Sequence, residues 1–365
     1  MKRRDFIKLI GAGATLLPMA PSFIAQAASP AKWRSYRLSY QVTLPATGKS
    51  ARLWLPLPDT NDTPYQFTQG SVWSGSAKSA KFYTIPQTDF PAFHAEWNGD
   101  GERQVTVSSI VKTADRQVDL HSYQAPGKVV IPDNIKRFLQ STQQVPLEGI
   151  VRQTAASIIK GSNKDHPLQN ARVIYDWVID NANYDMNVRG RGKGDVKLML
   201  TNENLSGKCA DINALFVGLA RASGIPARQQ YGIRINESAL YKNLGKFGDI
   251  STAQHCRAEF YLAGLGWVPV DPADVCEVIA SAGLPRNHEQ INALRDKLFG
   301  AWEMNWVAFN HAETVALGNN SAIGKLPFFL YPHAEIDGRQ QDSLEPQAFS
   351  YKIMSAALIG TGAKL

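Results

Sequence analysis

Gly207-Lys208-Cys209-Ala210-Asp211-Ile212-Asn213-Ala214-Leu215-Phe216-Val217-Gly218-Leu219-Ala220-Arg221-Ala222-Ser223-Gly224-Ile225-Pro226 is the stretch that decides how this chain folds. Ile212, Leu215, Phe216, Leu219 and Ala220 recur at the i, i+3, i+4 spacing of an amphipathic helix. Gly224 stops that helix and Pro226 cannot continue it. Cys209 therefore stands at or near a helix N-terminus, where partial positive charge and free N–H groups favour a thiolate. The same Cys209 N–H is placed to help stabilise the oxyanion of an attacked carbonyl.

Working outward, His255-Cys256-Arg257-Ala258-Glu259-Phe260-Tyr261-Leu262 reads as a strand, Ala263-Gly264-Leu265-Gly266 as a turn, and Trp267-Val268-Pro269-Val270-Asp271-Pro272 as a returning strand. A hairpin centred on that turn sets His255 and Asp271 opposite one another on one face. A base and its orienting carboxylate need that relation, so Cys209, His255 and Asp271 are read as nucleophile, base and orienter. Each residue alone has a plainer role: a buried small hydrophobe, a satisfied core histidine, a turn former before proline. Cys256 follows the histidine on a strand and is expected on the opposite face. Cys256 and Cys276 are close enough in sequence to pair in an oxidising compartment, or to remain free.

At these residues the chain resembles the core of the transglutaminase-like superfamily of papain-related cysteine enzymes. The resemblance rests on Gly207-Lys208-Cys209, on Leu219 to Arg228, on His255 with Glu259, and on Gly266 to Pro272, and covers roughly residues 147–273. It implies a Cys-His-Asp triad at Cys209, His255 and Asp271, and a Cys-bearing helix packed on an antiparallel sheet that bears the His and the Asp. Cys256-Arg257 departs from the Ala-Trp often found after the family's histidine. Some relatives keep an aromatic oxyanion donor upstream of the nucleophile, which makes Trp177 and Tyr184 candidates here.

The rest of the chain has two textures. Tyr36 to Leu44, Ala51 to Leu57, Lys81 to Ile85, Phe93 to Trp97 and Gln104 to Val111 are short period-2 runs divided by turn clusters such as Asn98-Gly99-Asp100-Gly101, the pattern of a β-sandwich. His94 and His121 are isolated within it. After a Pro/Gly-bearing joint the pattern turns helical: Ile150, Ala155, Ile158 and Ile159 mark one stripe, and Asp165 with Pro167 opens a helix carrying Ala171, Ile174, Trp177 and Val178 inside. The basic loop Arg189-Gly190-Arg191-Gly192-Lys193-Gly194 reads either as a solvated connection or as a flap facing substrate. Gly300 to His311 and Leu326 to Pro332 read as strands extending the catalytic sheet. Trp302, Trp306 and Asn310, at even spacing, are candidates for one wall of a cleft, with core packing the alternative for the tryptophans. The expected architecture is α+β: leader 1–27, β-sandwich 28–123, linker 124–146, and a transglutaminase-like catalytic domain 147–365 with a C-terminal strand extension.

Lys2, Arg3 and Arg4, a weakly apolar Phe6 to Ile24 and Ala25-Gln26-Ala27 read as an export leader, and Arg3-Arg4-Asp5-Phe6-Ile7-Lys8 fits the twin-arginine pattern. Pro18 and Pro21 argue against an uncleaved anchor. The chain holds 39 Lys and Arg against 32 Asp and Glu, a net +7. Without the leader the balance becomes 35 against 31, so a nucleic-acid partner is not expected. Three cysteines and no CxxC exclude a disulfide scaffold and a cysteine zinc site. No cofactor motif and no EF-hand loop is present, so no metal or cofactor is expected. The expectation is a periplasmic cysteine enzyme that meets the twin-arginine export machinery and transfers an acyl group from amide or peptide bonds of a protein or peptide, hydrolysis before cross-linking. The alternative is an inactive relative that binds an envelope peptide or glycan.

Overall fold

The computed structural model describes residues 32–126, 130–162, 166–318, 321–345 and 349–358. The proposed leader and the Asp165 cap lie outside the described residues. Six strands come first: β1 Arg34–Leu44, β2 Ser50–Pro56, β3 Gln66–Gly75, β4 Ser79–Thr84, β5 Pro91–Asn98 and β6 Arg103–Thr113. Buried and outward residues alternate along β1 and β6, as a half-buried strand requires. Strand β3 lacks that alternation: it is mostly exposed, and its register with β6 slips between Thr68 and Gly70. Hydrophobic periodicity therefore misses it.

A short β7 Arg116–Gln117 leads to α1 Asp133–Lys136, α2 Ile150–Ile158, α3 Pro167–Asn181, β8 Asn183–Tyr184, α4 Val196–Thr201, β9 Ser206–Gly207 and α5 Cys209–Ala222. Then follow β10 Ala227–Arg234, β11 Gly248–Asp249, β12 Gln254–Leu262, β13 Gly266–Val270, α6 Pro272–Ala282, α7 Glu289–Lys297, β14 Ala301–Trp302, β15 Trp306–Asn310, β16 His333–Ile336, β17 Arg339–Gln340 and β18 Tyr351–Leu358. Helix α3 is capped by His166, whose ring nitrogen accepts from the Gln169 N–H at 3.3 Å.

Two antiparallel sheets, ordered β11-β18-β1-β6-β3 and β17-β16-β2-β5-β4, share an apolar core that includes Tyr40, Leu53, Phe93 and Val107. Late strands complete both: β18 runs along β1 and β16 along β2. This corrects the expectation that Leu326 to Pro332 extends the catalytic sheet. Leu326 only bridges Val315, and the chain then crosses to the sandwich as β16. The Gly300 to His311 stretch divides, β14 pairing with β7 and β15 joining β10. The described residues from Lys32 onward form one compact unit.

The second half is built on the antiparallel sheet β13-β12-β10-β15, with α5 packed on β10 and β12 and surrounded by α2, α3, α4 and α6. Every residue of α5 from Cys209 to Arg221 is buried, the condition of a helix at the centre of a core. The β12–β13 ladder runs from Leu262↔Gly266 to Ala258↔Val270. That register corrects the hairpin expectation by two residues. Continued one step it sets Arg257, not His255, across from Asp271, which lies just beyond β13 as the N-cap of α6. The offset is even, so His255 and Asp271 keep the same face as diagonal neighbours.

Candidate active site

Cys209 is the first residue of α5. Two polar side chains in the first turns of this helix set its surroundings. Asp211 accepts the N–H groups of Lys208 (3.1 Å), Lys193 (2.8 Å) and Gly194 (2.9 Å), so one carboxylate closes the helix start and pins the basic loop to it. Asn213 donates to the Cys256 carbonyl at 2.8 Å and to Asp271 Oδ1 at 3.3 Å, tying α5 to both ends of the base–carboxylate pair. Among the described residues no hydrogen bond engages the Cys209 N–H, which leaves it free for an oxyanion.

His255, on β12, and Asp271 meet with Nε2 2.8 Å from Oδ2. Asp274, one turn into α6, puts Oδ1 3.1 Å from the same nitrogen and donates its own N–H to Asp271 Oδ1 at 3.1 Å. Behind it Arg234 of β10 contacts Asp274 at 2.6 Å and Glu277 at 2.8 Å, with Nη2 3.4 Å from His255 Nδ1. His255, Asp274 and Glu277 have the spacing of a cation site, and the Arg234 guanidinium is the cation paired with both carboxylates. With Nε2 held by carboxylates, proton exchange with sulfur would fall to Nδ1, the ring nitrogen that lies 3.4 Å from Arg234 Nη2.

The electrostatics favour an ion pair. Burial opposes ionisation of Cys209, but a side-chain hydrogen bond from Cys256, the charge of and hydrogen bond to His255, and the Arg191 charge hold its pKa well below the ordinary thiol value. The Cys256 N–H adds a contact to the sulfur at 3.4 Å. For His255, burial and Arg234 oppose protonation, while Asp274 first and then Asp271 push its pKa well above the ordinary imidazole value. Such a cysteine stays a thiolate beside an imidazolium near neutral pH.

The other candidates divide. Tyr184 of β8 is buried, and the Cys209 charge adds to the desolvation that raises its phenol pKa. Trp177 packs half-buried on α3 against the core. Trp302, Trp306 and Asn310 lie inside the fold, each 1 % exposed or less, and form no open wall. Trp306 Nε1 donates to the His255 carbonyl at 3.0 Å, and Asn310 donates to the Phe329 carbonyl at 2.8 Å. Arg257 lies over the Trp302 and Trp306 rings, 5.5 and 5.0 Å from their centroids, with Nε 3.4 Å from Asp271 Oδ2. The Cys-Arg departure thus places a cation beside the orienting carboxylate. Cys256 does not face away from the nucleophile as strand alternation suggested: the α5 terminus abuts the β12 backbone, so neighbours on both faces reach Cys209. All three cysteines are free, and the Cys276 thiol points to the Ala182 carbonyl at 3.9 Å.

Asp274, Arg234 and Asn213 escaped the sequence reading. Asp274 had a signal, an acid three residues after an Asp-Pro helix start. Arg234 and Asn213 had none, because only the packing of α5 and α6 on the sheet gives them partners.

Residues 152–272 match the profile of the Transglutaminase-like superfamily. An uncharacterized protein of Haemophilus influenzae is 34% identical over 336 residues, covering 88% of this chain and 90% of that one. A candidate cysteine protease of Cytophaga hutchinsonii has a similar crystal structure, with a TM-score of 0.56 at 12% identity, over 91% of this chain and 93% of that one. The periplasmic domain of TgpA from Pseudomonas aeruginosa aligns with a TM-score of 0.34 at 16% identity, over 73% of this chain and 93% of that one.

Proposed function

This chain belongs to the transglutaminase-like superfamily, and from that premise we propose that it is an exported cysteine enzyme acting on amide or peptide bonds. The observation that carries the reading is the Nε2–Oδ2 contact of 2.8 Å between His255 and Asp271, on a strand whose next backbone N–H, that of Cys256, lies 3.4 Å from the sulfur of Cys209 at the start of α5. The Cys209 thiolate attacks the carbonyl carbon, and the oxyanion is received by the Cys209 N–H, with the buried Tyr184 the candidate second donor. The His255 imidazolium gives its proton to the leaving amine as the C–N bond breaks, leaving a thioester. Neutral His255 then takes a proton from water, whose oxygen attacks the thioester, and the acid and the thiol are released. An amine in the place of that water would make the reaction a cross-link; hydrolysis is the reading offered. The basic, weakly apolar start of the sequence with Ala25-Gln26-Ala27 supports twin-arginine export and work in the periplasm.

The test is a thiol-directed acyl probe applied to wild type and Cys209→Ala. Labelling confined to wild type is expected; equal labelling of both overturns the reading. A second reading, a binding module without catalysis, draws on the complete burial of Cys209. It predicts no thiol reactivity near neutral pH and ligand binding that survives Cys209→Ala.

A further inference from the structure

His255 has two carboxylates where a base of this kind needs one. Its Nε2 lies 2.8 Å from Asp271 Oδ2 and 3.1 Å from Asp274 Oδ1. A single ring N–H cannot serve both fully, so what else each acid holds decides what each does for the ring. Asp271 is shared widely. Its Oδ1 accepts the Asp274 N–H at 3.1 Å, as the cap of α6, and the Asn213 amide at 3.3 Å, while Arg257 Nε stands 3.4 Å from Oδ2. Three elements thus fix where that carboxylate stands, and through it where the ring stands. Asp274 instead has two charged partners, the His255 ring and Arg234 Nη2 at 2.6 Å. Glu277, farther along α6, takes the same guanidinium at 2.8 Å, so Arg234 is divided between two acids and does not cancel Asp274 outright.

The charges of the buried cluster point the same way. Asp271, Asp274 and Glu277 are three carboxylates, Arg234 and Arg257 are two guanidiniums, and all five side chains are buried. One negative charge is left over, and a protonated His255 is the group in contact with it. Tyr184 of β8 and Cys256 of β12 leave the count unchanged, because burial raises the pKa of both and keeps them neutral. The Cys209 thiolate on α5 adds a further negative charge that also favours the protonated ring. Of the two acids at Nε2, Asp274 is the more firmly ionised. Burial opposes its charge, but His255 and then Arg234 hold its pKa below the usual carboxylate range, whereas burial and then the Asp274 charge push that of Asp271 up.

Resting on the cysteine-enzyme reading above, we propose that Asp274 is a second orienting carboxylate and the one whose charge keeps His255 an imidazolium, while Asp271 chiefly fixes the place of the ring. Asp274 is a positioning residue, acting on the base. The acid that family resemblance assigns to the triad is then the aligner, and the acid one helical turn beyond it is the counter-ion.

The protonation of His255 can be read without any substrate. Nitrogen NMR of protein labelled at its histidine rings follows each imidazole through a pH titration, and the His255 signals are those that His255→Gln removes. In wild type the ring should lose its proton well above the ordinary imidazole value. Asp274→Asn should lower that midpoint by about 1–3 pH units. Asp271→Asn should lower it less, because Asp274 still holds Nε2. Asp274→Glu, which keeps the charge and disturbs the fit, should retain most of the elevation; a merely structural role would be lost in both Asp274 variants alike. A midpoint that Asp274→Asn leaves in place overturns the proposal. So does one that Asp271→Asn alone brings to the ordinary value, or a wild-type ring that titrates there already, and neither of these depends on Asp274→Asn folding. Iodoacetamide labelling of wild-type Cys209, read by mass spectrometry, checks the reading beneath: its absence overturns the cysteine enzyme, whereas the midpoints decide the role of Asp274.

Discussion

At the scale of the residue, the second thiol sharpens the nucleophile. The Cys256 backbone N–H lies 3.4 Å from the Cys209 sulfur, and burial first, then the hydrogen bond and charge of Cys209, push the Cys256 thiol pKa well above the ordinary value. One thiol therefore keeps its proton and lends it to the other, a charge-assisted bond. In Cys256→Ala the backbone N–H still reaches the sulfur, but the side-chain donor is gone. The midpoint of the pH dependence of Cys209 alkylation should move to higher pH, and at pH values below both midpoints the rate should fall about tenfold, the worth of one hydrogen bond to a charged group. Iodoacetamide kinetics between pH 4 and 9 check this; an unmoved midpoint would mean that His255 and Arg191 carry the stabilisation without Cys256.

At the scale of the element, one side chain organises both the nucleophile helix and the basic loop from Arg189 to Gly194, a strap against the helix start. Asp211 receives three N–H groups from two segments, and Gly192 is the point where the strap passes closest to it. Gly192→Ala combines a left-handed φ of 98° with a side chain that has no room. The expected cost is about 1–3 kcal/mol, taken locally as release of the strap. Limited trypsin digestion should then cut at Arg189, Arg191 or Lys193 well before the rest of the chain. Equal digestion of variant and wild type would show that the strap can shift without leaving the helix.

At the scale of the whole molecule, one buried acid joins the segment that leaves the sandwich to the catalytic sheet. Glu259 of β12 is fully buried and pairs with Arg228 of β10 at 2.8 Å, with Arg116 of β7, and with Gln230 at 2.9 Å. Arg116 also lies over Tyr65 and Trp302. Burial would raise the Glu259 pKa, but Arg228 and then Arg116 bring it down to about 2 from 4.5. A depressed carboxylate contributes stability that is complete above its unfolded value and is lost as pH falls through the folded one. Urea unfolding midpoints of wild type should therefore include a decline between pH 4.5 and 2 that Glu259→Gln lacks. At pH 7 the same variant leaves Arg116 and Arg228 with no carboxylate partner among the described residues and should cost about 3–5 kcal/mol. A variant as stable as wild type at pH 7 would show that Arg116 and Arg228 find other acceptors.

Much of this protein was legible in its sequence because the relevant forces are local. The 3.6-residue period from Ile212 to Ala220, with Gly224 and Pro226 behind it, determines a helix and places Cys209 at its start. The Ala263 to Gly266 turn determines a hairpin, and the even side-chain period of strands brings His255 and Asp271 to one face although the register was two residues off. What surrounds the triad depends on chain segments far apart. Arg234 reaches Asp274 across 40 positions, Asn213 reaches Asp271 across 58, and Arg191 meets the helix start only because Asp211 draws the strap in. The same holds for the sandwich, whose two sheets are completed by β16 and β18 from the far end of the chain. Periodicity says that such strands bury one face; which sheet they join is settled by where unpaired backbone edges and uncovered apolar faces remain once the rest has folded.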